Sequence, residues 1–236
     1  MKLCLRCNDR LDDNYEGVLC DKCLEKWKVL QEQLFKEFTG NDDIKQGFAL
    51  MLKGLSEDFG LDLTDPNFFG TPGRVARMYG EVFKGVKDTN RQVQDILSVT
   101  FPSSYTQIIL ATDIQVYSMC PHHFLPVEYK IHVAYIPSEQ GQVMGASKLS
   151  RLAVVLASRP VLQEQFTEDI TSCLMDHVDG CLGAACIVQG RHFCMIMRGI
   201  KQPHSKLVTS SMKGAFMEEA STRQELFDLI KLNSNL

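Results

Sequence analysis

The sequence predicts an α+β fold built on an antiparallel sheet, and three observations predict it. Ile108–Ser118 and Tyr129–Ile136 are rich in β-branched and aromatic residues; in the second, Tyr129, Ile131, Val133 and Tyr135 alternate with Lys130, His132 and Ala134. Two helical stripes follow, Leu149/Leu152/Ala153/Leu156 and Leu162/Phe166/Ile170/Leu174, recurring at three- and four-residue steps. Two more strand candidates, Leu182–Gln189 and His192–Ile200, come after them. Strands that enclose a helical pair argue against alternating βα units and a parallel sheet. Composition agrees. The 236 residues, with net charge −4, 44% hydrophobic and 23% charged, are globular values that exclude a collagen-like or disordered chain.

From the start of the chain, Cys4-x2-Cys7 and Cys20-x2-Cys23 can place four thiolates on one tetrahedral ion, with Asn8, Asp9, Asn14 and Gly17 supplying turns between the pairs. A segment this short (1–26) has no core of its own, so metal binding would supply its folding energy. A redox CxxC is the rival reading, but such motifs sit at the strand–helix junction of a thioredoxin-like domain. A helical connector follows over 27–58. Its first stripe is Trp27, Leu30, Leu34 and Phe38; its second, capped by Asp42 or Asp43, is Ile44, Phe48, Leu52 and Leu55. A loop from Phe59 to Gly70 leads to Thr71-Pro72, an N-cap with proline at the first helical position, and to the remaining domain over 59–236.

The chain holds nine cysteines, and MKLCLRCNDR has no apolar signal-peptide core. Reduced thiols in a cytoplasmic compartment are expected, used for metal binding or catalysis. The longest apolar run, Leu152–Ala157, is far short of the ~20 residues that span a bilayer. The mildly acidic balance argues against a general nucleic-acid surface.

Three motifs carry chemistry. Cys120-Pro121-His122-His123 puts a thiol and an imidazole three residues apart, able to share a metal. In His192-Phe193-Cys194-Met195-Ile196-Met197-Arg198, strand periodicity would place His192, Cys194, Ile196 and Arg198 on one face. Together Cys120, His123 and Cys194 form a Cys2His set that leaves zinc an open position, with His122 and His192 beside it as acid–base groups. The spacing leaves a second reading open, in which these are buried cysteines and satisfied core histidines. The third motif, Gly145–Arg151, opens a helix capped by Ser147; Lys148 and Arg151 in its first turn oppose the helix dipole unless an anion sits there. Arg198 is a further cation for that phosphate site. A solvated basic helix start is the plainer alternative. Gln163-Glu164 either reads a purine edge or is simply a polar first turn. Cys173, Cys181 and Cys186 show no ligand spacing and are expected to pack.

TPGRVARMY, SMCPHHFLPVEYKIHVAYIP, GASKLSRLAVVLASR, LQEQFTEDI, HFCMIMRG, SKLVTSS and TRQELFDLI together resemble zinc-dependent GTP cyclohydrolase I, in order and spacing, from about Leu61 to Leu229. The resemblance implies a tunnelling fold: an antiparallel sheet backed by helices, assembled into a toroidal homodecamer with active sites between subunits. It implies GTP as substrate and 7,8-dihydroneopterin triphosphate and formate as products. Cys120, His123 and Cys194 would hold the catalytic zinc, with His122 and His192 catalytic. Glu164 would anchor the guanine with Gln163 beside it. Ser147, Lys148, Arg151 and Arg198 would hold ribose and triphosphate, and Arg77 and Arg74 would reach in from another subunit. Pro121 departs from the family, standing where an acid is usual and removing a carboxylate and a backbone N–H. Ser158 and Pro160 depart as well.

Two other readings compete with this one. A zinc nucleobase deaminase needs His-x-Glu with Pro-Cys-x-x-Cys, which this chain lacks. A non-catalytic purine-nucleotide-binding relative, using the N-terminal zinc knuckle to recruit a partner, would have no need of His122 and His192.

Overall fold

The computed structural model describes residues 43–139 and 141–234, together with Asp21 and Glu25. Cys4, Cys7, Cys20 and Cys23, and the stripe Trp27, Leu30, Leu34 and Phe38, lie outside the described residues. The chain divides into two units between Glu81 and Val82.

The first unit carries helix α1 (Asp43–Phe59), a 3-10 turn (Pro66–Phe68) and helix α2 (Thr71–Val82). In α1 the buried residues are Ala49 and Leu52, while Ile44, placed on the same stripe by the sequence, is half exposed. Asp65 opens the 3-10 turn by accepting from the Asn67 backbone N–H at 2.9 Å. Thr71 is the first residue of α2 rather than its cap, and Pro72 is buried in the first turn, where a missing N–H costs no helical bond.

Among the described residues the second unit runs α3 (Thr89–Leu97), β1 (Thr100–Pro102), β2 (Ile109–Met119), β3 (Pro126–Pro137), β4 (Gln142–Met144), α4 (Ser147–Ala157), α5 (Gln163–His177), β5 (Cys181–His192), α6 (Phe193–Ile196), β6 (Leu207–Gly214), α7 (Ala215–Glu218) and α8 (Ala220–Ser234). Strands β2-β3-β5-β6 form an antiparallel sheet in that order, and β1 pairs β4 separately. The fold is therefore mixed helix and antiparallel sheet. Tyr129, Ile131, Val133 and Tyr135 are all within 1% of full burial, as their period-two spacing requires. They join Leu152, Leu156, Phe166, Ile170 and Leu174 of α4 and α5 in one core. The Tyr129 ring stacks on Phe166 with centroids 4.9 Å apart. On the opposite face Ala134, Ile136 and Ala185 pack with Phe216 and Leu226 of α7 and α8. Cys186 is fully buried, and Cys173 and Cys181 pack against the main core. No helix among the described residues is long and apolar enough to cross a membrane.

Two expected elements differ. The predicted strand His192–Ile200 is absent: β5 continues from Cys181 to His192 and the chain then turns through α6. The ladder explains it. His192 pairs with Val127, and beyond Val127 strand β3 ends at Pro126, which has no N–H to offer. A strand continued past His192 would have no partner there, so the backbone closes its own hydrogen bonds in a helical turn. At α4, Ala146 occupies the cap and Ser147 is the first helical residue, so the serine hydroxyl does not cap the helix.

Candidate active site

Cys120 directly follows β2 and opens a tight turn. Its N–H donates to the Leu125 carbonyl at 2.9 Å, and the Phe124 N–H donates to the Cys120 carbonyl at 2.9 Å. Phe124 closes the turn at φ 52°, so Cys120-Pro121-His122-His123 forms a knuckle over the start of β3. Cys194 lies in α6, directly after β5. Because β3 and β5 are paired up to Val127 and His192, the knuckle and α6 are neighbours. The sulfur atoms of Cys120 and Cys194 stand 3.9 Å apart, and the donor atoms of Cys120, His123 and Cys194 all lie within 4.8 Å of one another.

Thiolates on tetrahedral zinc, with Zn–S bonds of ~2.3 Å, stand about 3.8 Å apart. The observed sulfur pair fits that span, and one imidazole completes a donor set suited to zinc. Burial, and then the neighbouring Cys120 sulfur, hold the Cys194 thiol above its ordinary value. Two thiolates this close repel unless a cation lies between them, which is what a metal would supply. Arg198 Nη1 donates to His123 Nε2 at 2.6 Å. The guanidinium can only donate, so that ring nitrogen carries no proton.

His192, at the end of β5, is half-buried beside this cluster. Its Nε2 lies 2.9 Å from Gln163 Oε1, and the Tyr129 ring meets it edge-on at 6.2 Å. Burial depresses the His192 pKa, with the Glu164 carboxylate pulling the other way. His122 is exposed, with Nδ1 3.9 Å from the Cys120 sulfur. The buried Tyr129 hydroxyl has no hydrogen-bond partner among the described residues. Its pKa is raised by burial, then by the nearby Cys120 and Glu164.

Of the other sequence-selected residues, Glu164 is exposed in the first turn of α5. Ser147, Lys148 and Arg151 lie at the start of α4, whose first turn holds no acid. Gln163 is different, being 1% exposed with its carboxamide turned inward. Arg74 and Arg77 lie on α2 in the first unit. The Arg74 guanidinium bonds locally, to the carbonyls of Phe69 (2.6 Å) and Asn67 (2.9 Å) and to Thr71 Oγ1. Sequence reasoning missed Tyr129 and Gly190 as site residues. Tyr129 reads as one more alternating core residue. A glycine inside a strand is a signal of close approach, and Gly190 is where the Gln163 carboxamide passes over β5.

Fold and site define a class: a mixed helix and antiparallel-sheet protein with a Cys/His/Cys group that could hold a metal at the end of its central strand pair. Comparison narrows it. The family model for GTP cyclohydrolase I matches residues 48–231. A GTP cyclohydrolase 1 of Clostridium perfringens is 38% identical over 81% of this chain and 98% of its own length. That of Thermoanaerobacter pseudethanolicus is 40% identical over 79% and 96%. That of Dehalococcoides mccartyi is 37% identical over 80% and 95%. The chain belongs to the GTP cyclohydrolase I family of enzymes.

Proposed function

We propose that the protein hydrolyses GTP to 7,8-dihydroneopterin triphosphate and formate. The observation that carries this is the approach of Cys120, His123 and Cys194 to within 4.8 Å, with His122 and His192 alongside, in a chain of this family. Those three residues would hold zinc, which supplies Lewis acidity that makes water a nucleophile at neutral pH.

The remaining work falls to side chains. One water adds across the C8–N7 double bond of the purine as His192 gives a proton to N7. The C8–N9 bond then breaks as the proton of the new C8 hydroxyl passes to N9, with His122 the second acid–base group, leaving a formyl group on N7. A second water releases C8 as formate. Amadori rearrangement of the ribose and ring closure then give the pterin. Glu164, at the exposed start of α5, would accept from the guanine N–H groups. Ser147, Lys148, Arg151 and Arg198 would hold ribose and triphosphate; the free N–H groups of the α4 start favour an anion there. The triphosphate is remote from C8, so its binding energy orients the reacting ring.

By resemblance the second unit would adopt the tunnelling fold and assemble as a toroidal homodecamer, with Arg77 and Arg74 entering from another subunit. Residues 1–26 would bind a second, structural zinc through Cys4, Cys7, Cys20 and Cys23, joined by a connector over 27–58 to the catalytic part, 59–236. The enzyme would work in the cytoplasm, at the head of pterin, folate or 7-deazaguanine synthesis. The test is incubation of metal-replete protein with GTP, then oxidation and fluorescence. Neopterin fluorescence is expected, and its loss in Cys194→Ala; full activity in that variant contradicts the proposal.

A further inference from the structure

The resemblance puts Gln163 beside the guanine, yet the structure turns its side chain the other way. The carboxamide Nε2 donates to the Val188 carbonyl at 3.2 Å, the Leu207 carbonyl at 3.0 Å and Thr209 Oγ1 at 3.1 Å. Carbonyl oxygens only accept, so these contacts settle which end of the amide is nitrogen. Oε1 must then face His192 Nε2, 2.9 Å away, and an acceptor there requires the proton to be on Nε2. The neutral imidazole is thereby confined to the Nε2–H tautomer, with the lone pair on Nδ1.

Two neighbours shape the same arrangement. A Cβ on Gly190 would collide with Gln163 Oε1 and come within 3.1 Å of His192 Nε2, so the glycine is what lets the carboxamide lie against β5. Tyr129, stacked on Phe166, meets the imidazole edge-on. Gln163 is also tied at its own backbone, where its carbonyl accepts from Thr167 Oγ1 at 2.7 Å. Strand β5, helix α5 and strand β6 all contribute to holding one amide.

We propose that Gln163 is a positioning residue that fixes the orientation and tautomer of His192, with Gly190 providing the space, and is not a contact to the purine. This rests on the reading of His192 as the proton donor to N7. With Nε2–H held by Gln163, Nδ1 is the nitrogen left for the substrate: it first takes up a proton and then passes it to N7. An imidazole free to rotate would aim the wrong nitrogen for part of the time. Positioning of this kind acts on turnover and leaves affinity for GTP alone.

The test compares Gln163→Met, which keeps the volume but removes the acceptor, with Gln163→Glu. The carboxyl of Gln163→Glu, kept neutral by burial, accepts from Nε2–H with one oxygen and donates from the other to a carbonyl that the amide serves. In Gln163→Met, kcat should fall about 10²-fold, the lower end of what a correctly placed acid–base group supplies. KM for GTP should stay within about twofold, and bound metal should be unchanged. Gln163→Glu should recover most of that loss. In ligand-free protein labelled with ¹⁵N-histidine, the His192 ring signals should show the Nε2–H pattern in wild type and a tautomer mixture in Gln163→Met. Gly190→Ala should reproduce the kcat loss with the carboxamide still present, and serves if Gln163→Met fails to fold. A KM raised tenfold or more with kcat preserved, or an unchanged tautomer signature in Gln163→Met, overturns the proposal. If wild-type protein makes no pterin, the reading of the reaction fails, while the ligand-free ring signals still decide the tautomer.

Discussion

Cys120 and Cys194 are separated by 74 positions in the chain, yet their sulfur atoms stand 3.9 Å apart. Neither residue finds the other through local structure. A knuckle after β2 presents one sulfur, a helical turn after β5 presents the other, and the pairing of β3 with β5 brings the two chain reversals together. The candidate metal site is thus a product of strand register.

Removing one of those sulfurs should therefore remove one ion. Cys194→Ala is expected to lose about one equivalent of zinc per chain, since the two donors left fall short of the three protein ligands of an open zinc site. The second zinc proposed for Cys4, Cys7, Cys20 and Cys23 should remain. Elemental analysis of purified protein checks this, and an unchanged metal content in Cys194→Ala would assign the metal elsewhere.

Gly85 illustrates a backbone contact with no room for a side chain. Its N–H donates to the Ser158 carbonyl at 3.0 Å, Thr89 Oγ1 donates to its carbonyl, and an added Cβ would run into the carbonyl oxygens of Val155 and Ser158. These are main-chain atoms, which cannot rotate aside. Gly85→Ala should destabilise the protein by about 1–3 kcal/mol, the usual cost of overpacking. A lowered midpoint in denaturant titration is the expected result.

Glu168 on α5 ties the helix to β6. Its carboxylate accepts from Lys213 Nζ at 2.7 Å and from Ser211 Oγ at 2.7 Å, and these bonds hold its pKa below the ordinary 4.5. The unfolded chain therefore binds the proton more tightly than the folded one. The stabilisation is complete above about pH 4.5 and is lost as the pH falls through the lower folded-state value. The carboxylate is half exposed, so the effect is modest. Thermal melts below pH 4.5 should show a shallower loss of stability with acid in Glu168→Gln than in wild type. Parallel curves would show that the bonds to Lys213 and Ser211 do not stabilise the fold.

Much of the sheet and its helices is legible residue by residue. The alternation through Tyr129–Tyr135 names the buried face of β3, and the stripes from Leu149 and Leu162 name the helices that cover it. His192–Ile200 is not legible. Its composition suits a strand, but whether it pairs depends on where β3 ends, and only the assembled ladder determines that. The approach of Cys120 to Cys194 is hidden for the same reason. Gln163 shows a different limit: a glutamine at the start of a helix reads as a solvent or ligand contact. The three acceptors that claim it come from β5 and β6, up to 46 residues away.

The central claim is chemical, and the most direct measurement is mass spectrometry of what metal-replete protein makes from GTP. The expected result is conversion to 7,8-dihydroneopterin triphosphate with one equivalent of formate, and no conversion by Cys194→Ala. GTP that is bound but returned intact, or a product that still contains C8, would contradict it.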